Sequence, residues 1–155
     1  MPFKSLAALF FCIMSALTLL PAQAASEQPT QQDAIDLVNK ANAYYKAHGK
    51  AKLLEAVGTP KGEFHKGELY VFVYDQTATI LAHPVNPKLV GKNTFDVPDT
   101  DGKFYRKDIV QLAKTKGSGW VDYKYKNPES AKVESKTSYI LAVGDIILVA
   151  GIYKN

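Results

Sequence analysis

A mostly apolar segment near the N-terminus decides how much of this chain is available to fold. Lys4 is followed by an uncharged, largely apolar run over residues 6–20, then by Pro21 and the small-residue sequence Ala22-Gln23-Ala24. A basic start, an apolar core and an A-x-A site form the pattern of a cleavable secretory signal peptide. The run is short for a membrane span, and Cys12 lies inside it rather than at a lipidation site. We therefore expect residues 1–24 to be removed and residues 25–155 to be periplasmic or secreted.

Removal of this leader would also remove Cys12, the only cysteine of the chain. The exported protein would then have no disulfide, no thiolate metal site and no thiol nucleophile. Its stability must come from an apolar core, and its length suits a single domain.

The charge of the chain argues against a nucleic-acid partner. The net charge is +4, including Lys4, and Arg106 is the only arginine. Proteins that read nucleic acids depend on bidentate arginine contacts. The mild, lysine-based charge indicates at most a weak attraction for anions.

Helical spacing is found in the first part of the chain. We expect residues 25–32 to be a flexible N-terminus and residues 33–155 to form the domain. Apolar residues recur every three or four positions from Ile35 to Tyr45, which predicts a helix from Asp33 that ends near Gly49. A second short helical piece is predicted over residues 51–57.

The remaining chain reads mainly as strands rich in aromatic and β-branched residues. Strands are predicted over residues 69–74, 79–83, 120–126, 134–143 and 146–153. A long loop over 84–103, a helix over 104–114 and a flexible break over 117–119 separate the second and third strands. Consecutive hairpin-like strands imply an antiparallel sheet with helices beside it, an α+β fold. The last strand is almost wholly apolar, so it should be central and covered on both faces.

Several short motifs, each weak alone, occur in a specific order. They are Gly67-Glu68-Leu69-Tyr70-Val71-Phe72-Val73-Tyr74-Asp75, Ile80-Leu81-Ala82-His83-Pro84, Pro87-x-Leu89-Val90-Gly91-Lys92-Asn93, Asp99-x-Asp101-Gly102, Gly119-Trp120-Val121-Asp122-Tyr123, Asn127-Pro128, Lys136-x-Ser138-Tyr139 and Gly151-Ile152-Tyr153. Together they resemble the single Cache domain, an extracytoplasmic sensor module of bacterial chemoreceptors and histidine kinases, over residues 31–154.

This resemblance implies a PAS-like fold, with a long N-terminal helix beside a five- or six-stranded antiparallel sheet. It also implies a small ligand, often a short carboxylate, between the sheet and the long loop. Receptor copies of the domain lie between two membrane helices. Here we expect a stand-alone domain that works with a membrane receptor or kinase, or with a second copy through its N-terminal helix, in signal transduction such as chemotaxis.

Strand alternation brings candidate ligand-binding aromatic residues to one face. Tyr70, Phe72 and Tyr74 share a face opposite to aliphatic neighbours, which suits either a pocket wall or ordinary core. Tyr123 and Tyr125 share a face of their own strand, and the resemblance adds Trp120. Cross-strand aromatic packing is the alternative for this second group.

Three polar residues complete the candidate ligand-binding set. The resemblance implies that Lys136, with Ser138 on its own face, binds the ligand, whereas most lysines are simply solvated. His83, which ends a strand before Pro84, could hydrogen-bond a ligand, although a local cap is the favoured interpretation.

No catalytic or metal-binding signature is present in the sequence. The run Asp99-Thr100-Asp101-Gly102 is similar to a calcium loop, but its glycine comes too early and Val110 occupies the position of the required glutamate. We therefore expect a non-enzymatic, periplasmic binding module for a small, anionic metabolite, without a cofactor. The alternative is an accessory subunit that uses the same fold as an interaction surface and fills its pocket with side chains.

The leader hypothesis makes a direct prediction. The protein purified from the periplasm should begin at Ala25, because the signal peptidase would cut after Ala24. N-terminal sequencing measures this. A membrane-bound protein that keeps Met1 would contradict the prediction.

Overall fold

A computed structural model describes residues 28–154. The expected leader and residues 25–27 lie outside this range. In chain order the elements are helix α1 (Gln31–Gly58), strands β1 (His65–Lys66), β2 (Leu69–Asp75) and β3 (Ile80–Ala82), a 3-10 helix (Pro87–Leu89), helix α2 (Tyr105–Lys116), and strands β4 (Ser118–Lys126), β5 (Val133–Val143) and β6 (Ile146–Tyr153). Within the described range, neither α-helix is long and apolar enough to cross a membrane.

Helix α1 begins two residues earlier than predicted. The Thr30 side chain accepts a hydrogen bond from the Asp33 N–H while the Asp33 carboxylate accepts one from the Thr30 N–H, which is a capping box. Gln31 and Gln32, placed by the sequence interpretation in the flexible N-terminus, are therefore helical. The predicted break is confirmed, since Gly49 has a φ of 82° inside α1.

The strands form one antiparallel sheet of the predicted α+β type. The order is β1-β2-β6-β5-β4, and β3 pairs with β2 on the side of this path. The prediction that the last strand is central is confirmed, because β6 lies between β2 and β5 and is buried along nearly all its length. The two-residue strand β1 was not predicted. Strand β3 is shorter than predicted, and Thr79, just before it, forms an isolated bridge with Asn93 of the long loop.

The two faces of the sheet have different side chains. One face is aliphatic and packs against α1, with Leu69, Val71, Val73, Ile146, Leu148 and Ala150. The other face is aromatic and lies under α2 and the long loop, with Tyr70, Phe72, Tyr74, Tyr123, Ile147 and Val149. This separation follows from the two-residue period of strand side chains.

The chain between α2 and β4 turns more sharply than predicted. Gly117 adopts the left-handed conformation with a φ of 76°, and its N–H donates to the carbonyls of Ala113 and Leu112. Glycine allows this cap without steric cost. Ser118 and Gly119, predicted as part of a flexible break, therefore already belong to β4.

The packing of β6 against β5 requires a glycine. A Cβ atom at Gly151 would lie 2.0 Å from Ser138 Oγ and 2.6 Å from the Thr137 carbonyl oxygen. We expect Gly151→Ala to lower the free energy of unfolding by about 1–3 kcal/mol, the usual cost of overpacking. Urea unfolding measures this effect.

Gly58→Ala is the matched control, since a Cβ atom there would meet nothing within 4 Å. Its stability should stay within about 0.5–1 kcal/mol of the wild type. Equal stability of the two variants would contradict the packing argument.

Candidate functional site

A small cavity lies between the aromatic face of the sheet, α2 and the long loop. It is lined by Tyr70, Phe72, Tyr74, Ile80, His83, Tyr105, Arg106, Tyr123 and Tyr125. The volume open to the centre of a water molecule is about 10 Å³, which is room for about one water. Six of the residues singled out in the sequence meet here, and Ile80, Tyr105 and Arg106 were not among them.

Lys136 of β5 lies beside this cavity in a cage of aromatic rings. Its side chain is buried, with 1% of the residue exposed. Nζ lies 3.1 Å from the Tyr70 hydroxyl and 3.3 Å from the Tyr153 hydroxyl. The same atom lies 4.2 Å from the centre of the Tyr70 ring and 4.5 Å from that of Tyr153, with the Tyr125 and Phe72 rings within 6 Å.

No carboxylate pairs with Lys136 in the described part of the chain. The six ion pairs formed there join other lysines to surface acids. Burial lowers the pKa of the Lys136 ammonium from 10.5 to about 7, and the charge of Glu68 opposes this only in part. Desolvation is therefore the main cause of the lowered pKa of this amine.

Arg106 of α2 is a second buried cation and lines the cavity itself. It is 6% exposed. Its Nε donates to the Tyr74 hydroxyl at 3.3 Å and its Nη1 donates to the Val97 carbonyl at 3.0 Å. The guanidinium also lies over the Tyr105 ring, 4.2 Å from the ring centre. It too is absent from the ion pairs of residues 28–154.

His83 forms the local cap that the sequence interpretation favoured. Its Nδ1 accepts hydrogen bonds from the backbone N–H groups of Val85 and Asn86, at 3.3 and 3.1 Å. Burial, and then the charges of Lys136 and Arg106, lower the pKa of His83 to about 3. The ring is therefore neutral at physiological pH and carries its proton on Nε2. It also stacks on Phe72 at the cavity wall.

Ser138 and Tyr123 form a buried hydroxyl pair across β4 and β5. Their oxygens are 2.8 Å apart. Tyr123 stacks on Tyr105, with ring centres 3.9 Å apart. Burial raises the pKa of Tyr70, Tyr74, Tyr123 and Tyr125. Their hydroxyls are therefore neutral hydrogen-bonding groups rather than phenolates.

Trp120 is the predicted site residue that the structure does not bring to the cavity. It packs against the α1 side of the sheet and lies 5.4 Å from the Tyr139 ring, centre to centre. The physical reason is strand alternation, because Trp120 and Tyr123 are three positions apart in the strand and so lie on opposite faces. The predicted inclusion of Trp120 with Tyr123 and Tyr125 is therefore corrected.

Tyr153 is a site residue that the sequence interpretation missed. It belongs to the Gly151-Ile152-Tyr153 motif, and β6 pairs it directly with Lys136. Its place in a recurring motif, on the strand predicted to be central, was the available signal. No local pattern in the sequence points to Tyr105 or Arg106 as site residues, apart from the fact that Arg106 is the only arginine. These residues reach the cavity because α2 packs against the sheet.

Comparison with known proteins gives this cavity a context. The family described as single Cache domain 2 matches residues 15–154. The methyl-accepting chemotaxis protein McpP of Pseudomonas putida is 32% identical over 71 residues, 46% of this chain and 13% of that protein. The sensor histidine kinase MctS of Rhizobium johnstonii is 30% identical over 74 residues, 48% of this chain and 16% of that protein. The chain thus matches less than a fifth of the length of either relative.

Two solved structures resemble the fold closely. A periplasmic sensor domain of a chemotaxis protein has a TM-score of 0.65 at 25% identity, and the match covers 80% of this chain and 90% of that one. A Cache chemosensory domain solved to explain carboxylic acid recognition has a TM-score of 0.63 at 26% identity, with 80% and 88% covered. The six-stranded antiparallel sheet and its N-terminal helix agree with the PAS-like fold expected from the sequence. The chain belongs to the single Cache domain 2 family, whose members are extracytoplasmic sensor domains of bacterial chemotaxis receptors and kinases.

Proposed function

We propose that this domain binds a small carboxylate in the cavity beside Lys136 and passes that binding on to a partner protein. The observation that carries the proposal is the burial of the Lys136 amine among aromatic rings, with no carboxylate of residues 28–154 paired to it. A buried charge without a counter-charge is costly, and a bound anion would remove that cost.

The size of this cost follows from the pKa of Lys136. Its lowering from 10.5 to about 7 corresponds to roughly 5 kcal/mol of destabilisation of the ammonium in the folded protein. Hydroxyl contacts and ring faces offset only part of the desolvation. A carboxylate within hydrogen-bond distance of Nζ would favour the ammonium and make a charge-assisted hydrogen bond.

Hydrogen-bond donors around the cavity, both neutral and cationic, suit the same ligand. The tyrosine hydroxyls, the His83 Nε2–H and the Arg106 guanidinium can all donate hydrogen bonds, and no carboxylate of the described residues lines the cavity. The similar Cache chemosensory domain that was solved to explain carboxylic acid recognition supports a carboxylate as the class of ligand.

Entry of such a ligand requires the long loop to move or side chains to rearrange. The free space of about 10 Å³ is too small for a carboxylate as it stands. Val85, Leu89 and Phe95 of the loop pack against the aromatic cluster, and Arg106 ties the loop to α2 through the Val97 carbonyl. We propose that the loop opens for entry and then encloses the ligand over the aromatic face.

The same small volume favours the second candidate function. An accessory subunit of an extracytoplasmic complex would need no pocket, and side chains fill most of this one. In both cases we propose a membrane receptor or kinase as the partner, or a second copy bound through α1.

Binding can be tested with a thermal-shift screen of acetate, propionate, lactate and pyruvate, followed by calorimetric titration. We expect at least one carboxylate to bind and to stabilise the protein by mass action. Lys136→Met should weaken binding by roughly 2 kcal/mol, because it removes one charge-assisted hydrogen bond.

Lys132→Met is the matched control, since Lys132 is an exposed lysine of the β4–β5 turn. It should bind as the wild type does. Unchanged affinity of Lys136→Met would refute the role of Lys136. Failure of every carboxylate to bind would favour the accessory-subunit function.

The buried amine also predicts how stability depends on pH without any ligand. The pKa of Lys136 is lower in the folded protein than in the unfolded chain. Between pH 7 and about 10 the unfolded chain therefore binds more protons, and the free energy of unfolding rises with pH. Below pH 7 the full cost of the buried charge is present.

The Lys136→Met variant lacks this contribution. We expect it to be more stable than the wild type at pH 6.5, with the difference narrowing by about 1.4 kcal/mol per pH unit above pH 7. Urea unfolding of both proteins from pH 6.5 to 9.5 measures the difference, and the other titrating groups cancel in it. A difference that stays constant over this range would show that Lys136 is not desolvated.

A further inference from the structure

We propose that the site binds a carboxylate together with one proton, so that Lys136 is neutral in the empty protein above neutral pH and ligand affinity falls as the pH rises. This inference rests on the proposed function and adds a regulation to the same site. It makes the domain a joint sensor of an anion and of external acidity.

Tyrosines from three different strands face the Lys136 amine. Tyr70 of β2, Tyr153 of β6 and Tyr125 of β4 surround Nζ, and each approaches with a ring face or a hydroxyl. A neutral amine can accept a hydrogen bond from a tyrosine O–H, whereas an ammonium can only donate. The cage therefore satisfies the neutral form as well as the charged one.

The other charged groups near the cage do not stabilise the ammonium form of Lys136 enough to offset its burial. Glu68, in the turn between β1 and β2, favours the ammonium, but its carboxylate accepts a hydrogen bond from Asn127 at 2.9 Å and forms no ion pair with Lys136. Arg106 and His83 lie on the cavity side, where Arg106 is cationic and His83 is neutral.

Only Lys136 among these facing groups changes its charge between pH 6 and pH 9. Burial raises the pKa of Tyr70, Tyr125 and Tyr153 above its usual value, so these residues stay protonated. The pKa of His83, about 3, keeps it neutral. A pH effect on binding in this range would therefore report the amine.

The binding step is balanced as one neutral amine, one carboxylate and one proton from solution giving one ammonium–carboxylate pair. The competent fraction of the empty protein is the fraction that carries the ammonium. The apparent dissociation constant equals the intrinsic constant divided by that fraction. Affinity should therefore fall roughly 100-fold from pH 6 to pH 9 for a group that titrates near pH 7. Short carboxylates remain anionic throughout this range and contribute nothing to the change.

The test is calorimetric titration of the wild-type protein with acetate, propionate, lactate and pyruvate at pH 6, 7, 8 and 9. At pH 8 the titration is repeated in phosphate and in Tris, whose ionisation enthalpies differ. We expect the loss of affinity described above and a buffer-dependent enthalpy that corresponds to the uptake of nearly one proton per ligand. The buffer comparison needs no variant and so does not depend on whether a substitution folds.

Lys136→Arg is the matched variant, because a guanidinium stays charged at every pH used. Its affinity should change less than threefold between pH 6 and pH 9. Tight wild-type binding with a flat pH profile and no proton uptake would overturn this inference and leave the proposed function standing. Absence of binding by acetate, propionate, lactate and pyruvate at every pH would overturn both.

Discussion

The buried amine of Lys136 is the constraint around which the aromatic half of this domain is arranged. Strand β5 lies between β4 and β6, so the side chain is flanked in register by Tyr123 on one side and Tyr153 on the other. Tyr70 closes the cage from β2. A long cationic side chain normally extends its charge to water, but here the surrounding strands prevent it. The contacts of Nζ in the described residues are ring faces and hydroxyls, which tolerate both protonation states.

This arrangement is possible because the two faces of the sheet carry different kinds of side chain. The aliphatic face packs against α1, and the fully buried side chains of that cluster are all apolar. The aromatic face carries hydroxyls that hydrogen-bond one another, as Tyr123 and Ser138 do at 2.8 Å. Stability can then come mainly from burial on the α1 side, while the other side accommodates a costly cation. Without the apolar core between the sheet and α1, the fold would tolerate an unpaired buried charge less well, since the net free energy of unfolding is a small difference between large terms.

The sequence predicts which residues of one strand lie on the same face of the sheet. It does not predict which residues of a helix reach the cavity, because that depends on how the helix packs on the sheet. Alternation alone placed Tyr70, Phe72 and Tyr74 together, and it placed Lys136 beside Ser138. The same rule, applied to Trp120, puts it on the opposite face, and the structure agrees. Arg106 reaches the cavity only because α2 packs across the sheet, a long-range contact with no local pattern. The start of α1 at Gln31 is set by the Thr30–Asp33 capping box, a local signal that apolar periodicity alone does not include.

The two buried cations have different surroundings, and this difference assigns them different roles. Arg106 donates to a backbone carbonyl of the loop and to the Tyr74 hydroxyl, and it stacks on Tyr105. It therefore already has acceptors and physically joins the loop, α2 and the sheet. Among the described residues, the acceptors of Lys136 are the hydroxyls of Tyr70 and Tyr153 and the faces of the rings around it, with no carbonyl or carboxylate. An incoming anion would gain more at Lys136, where a cation is poorly compensated, than at Arg106. In the proposed entry step, displacement of the loop would disturb the hydrogen bond from Arg106 to the Val97 carbonyl. Ligand binding beside β5 would in this way be coupled to the position of α2.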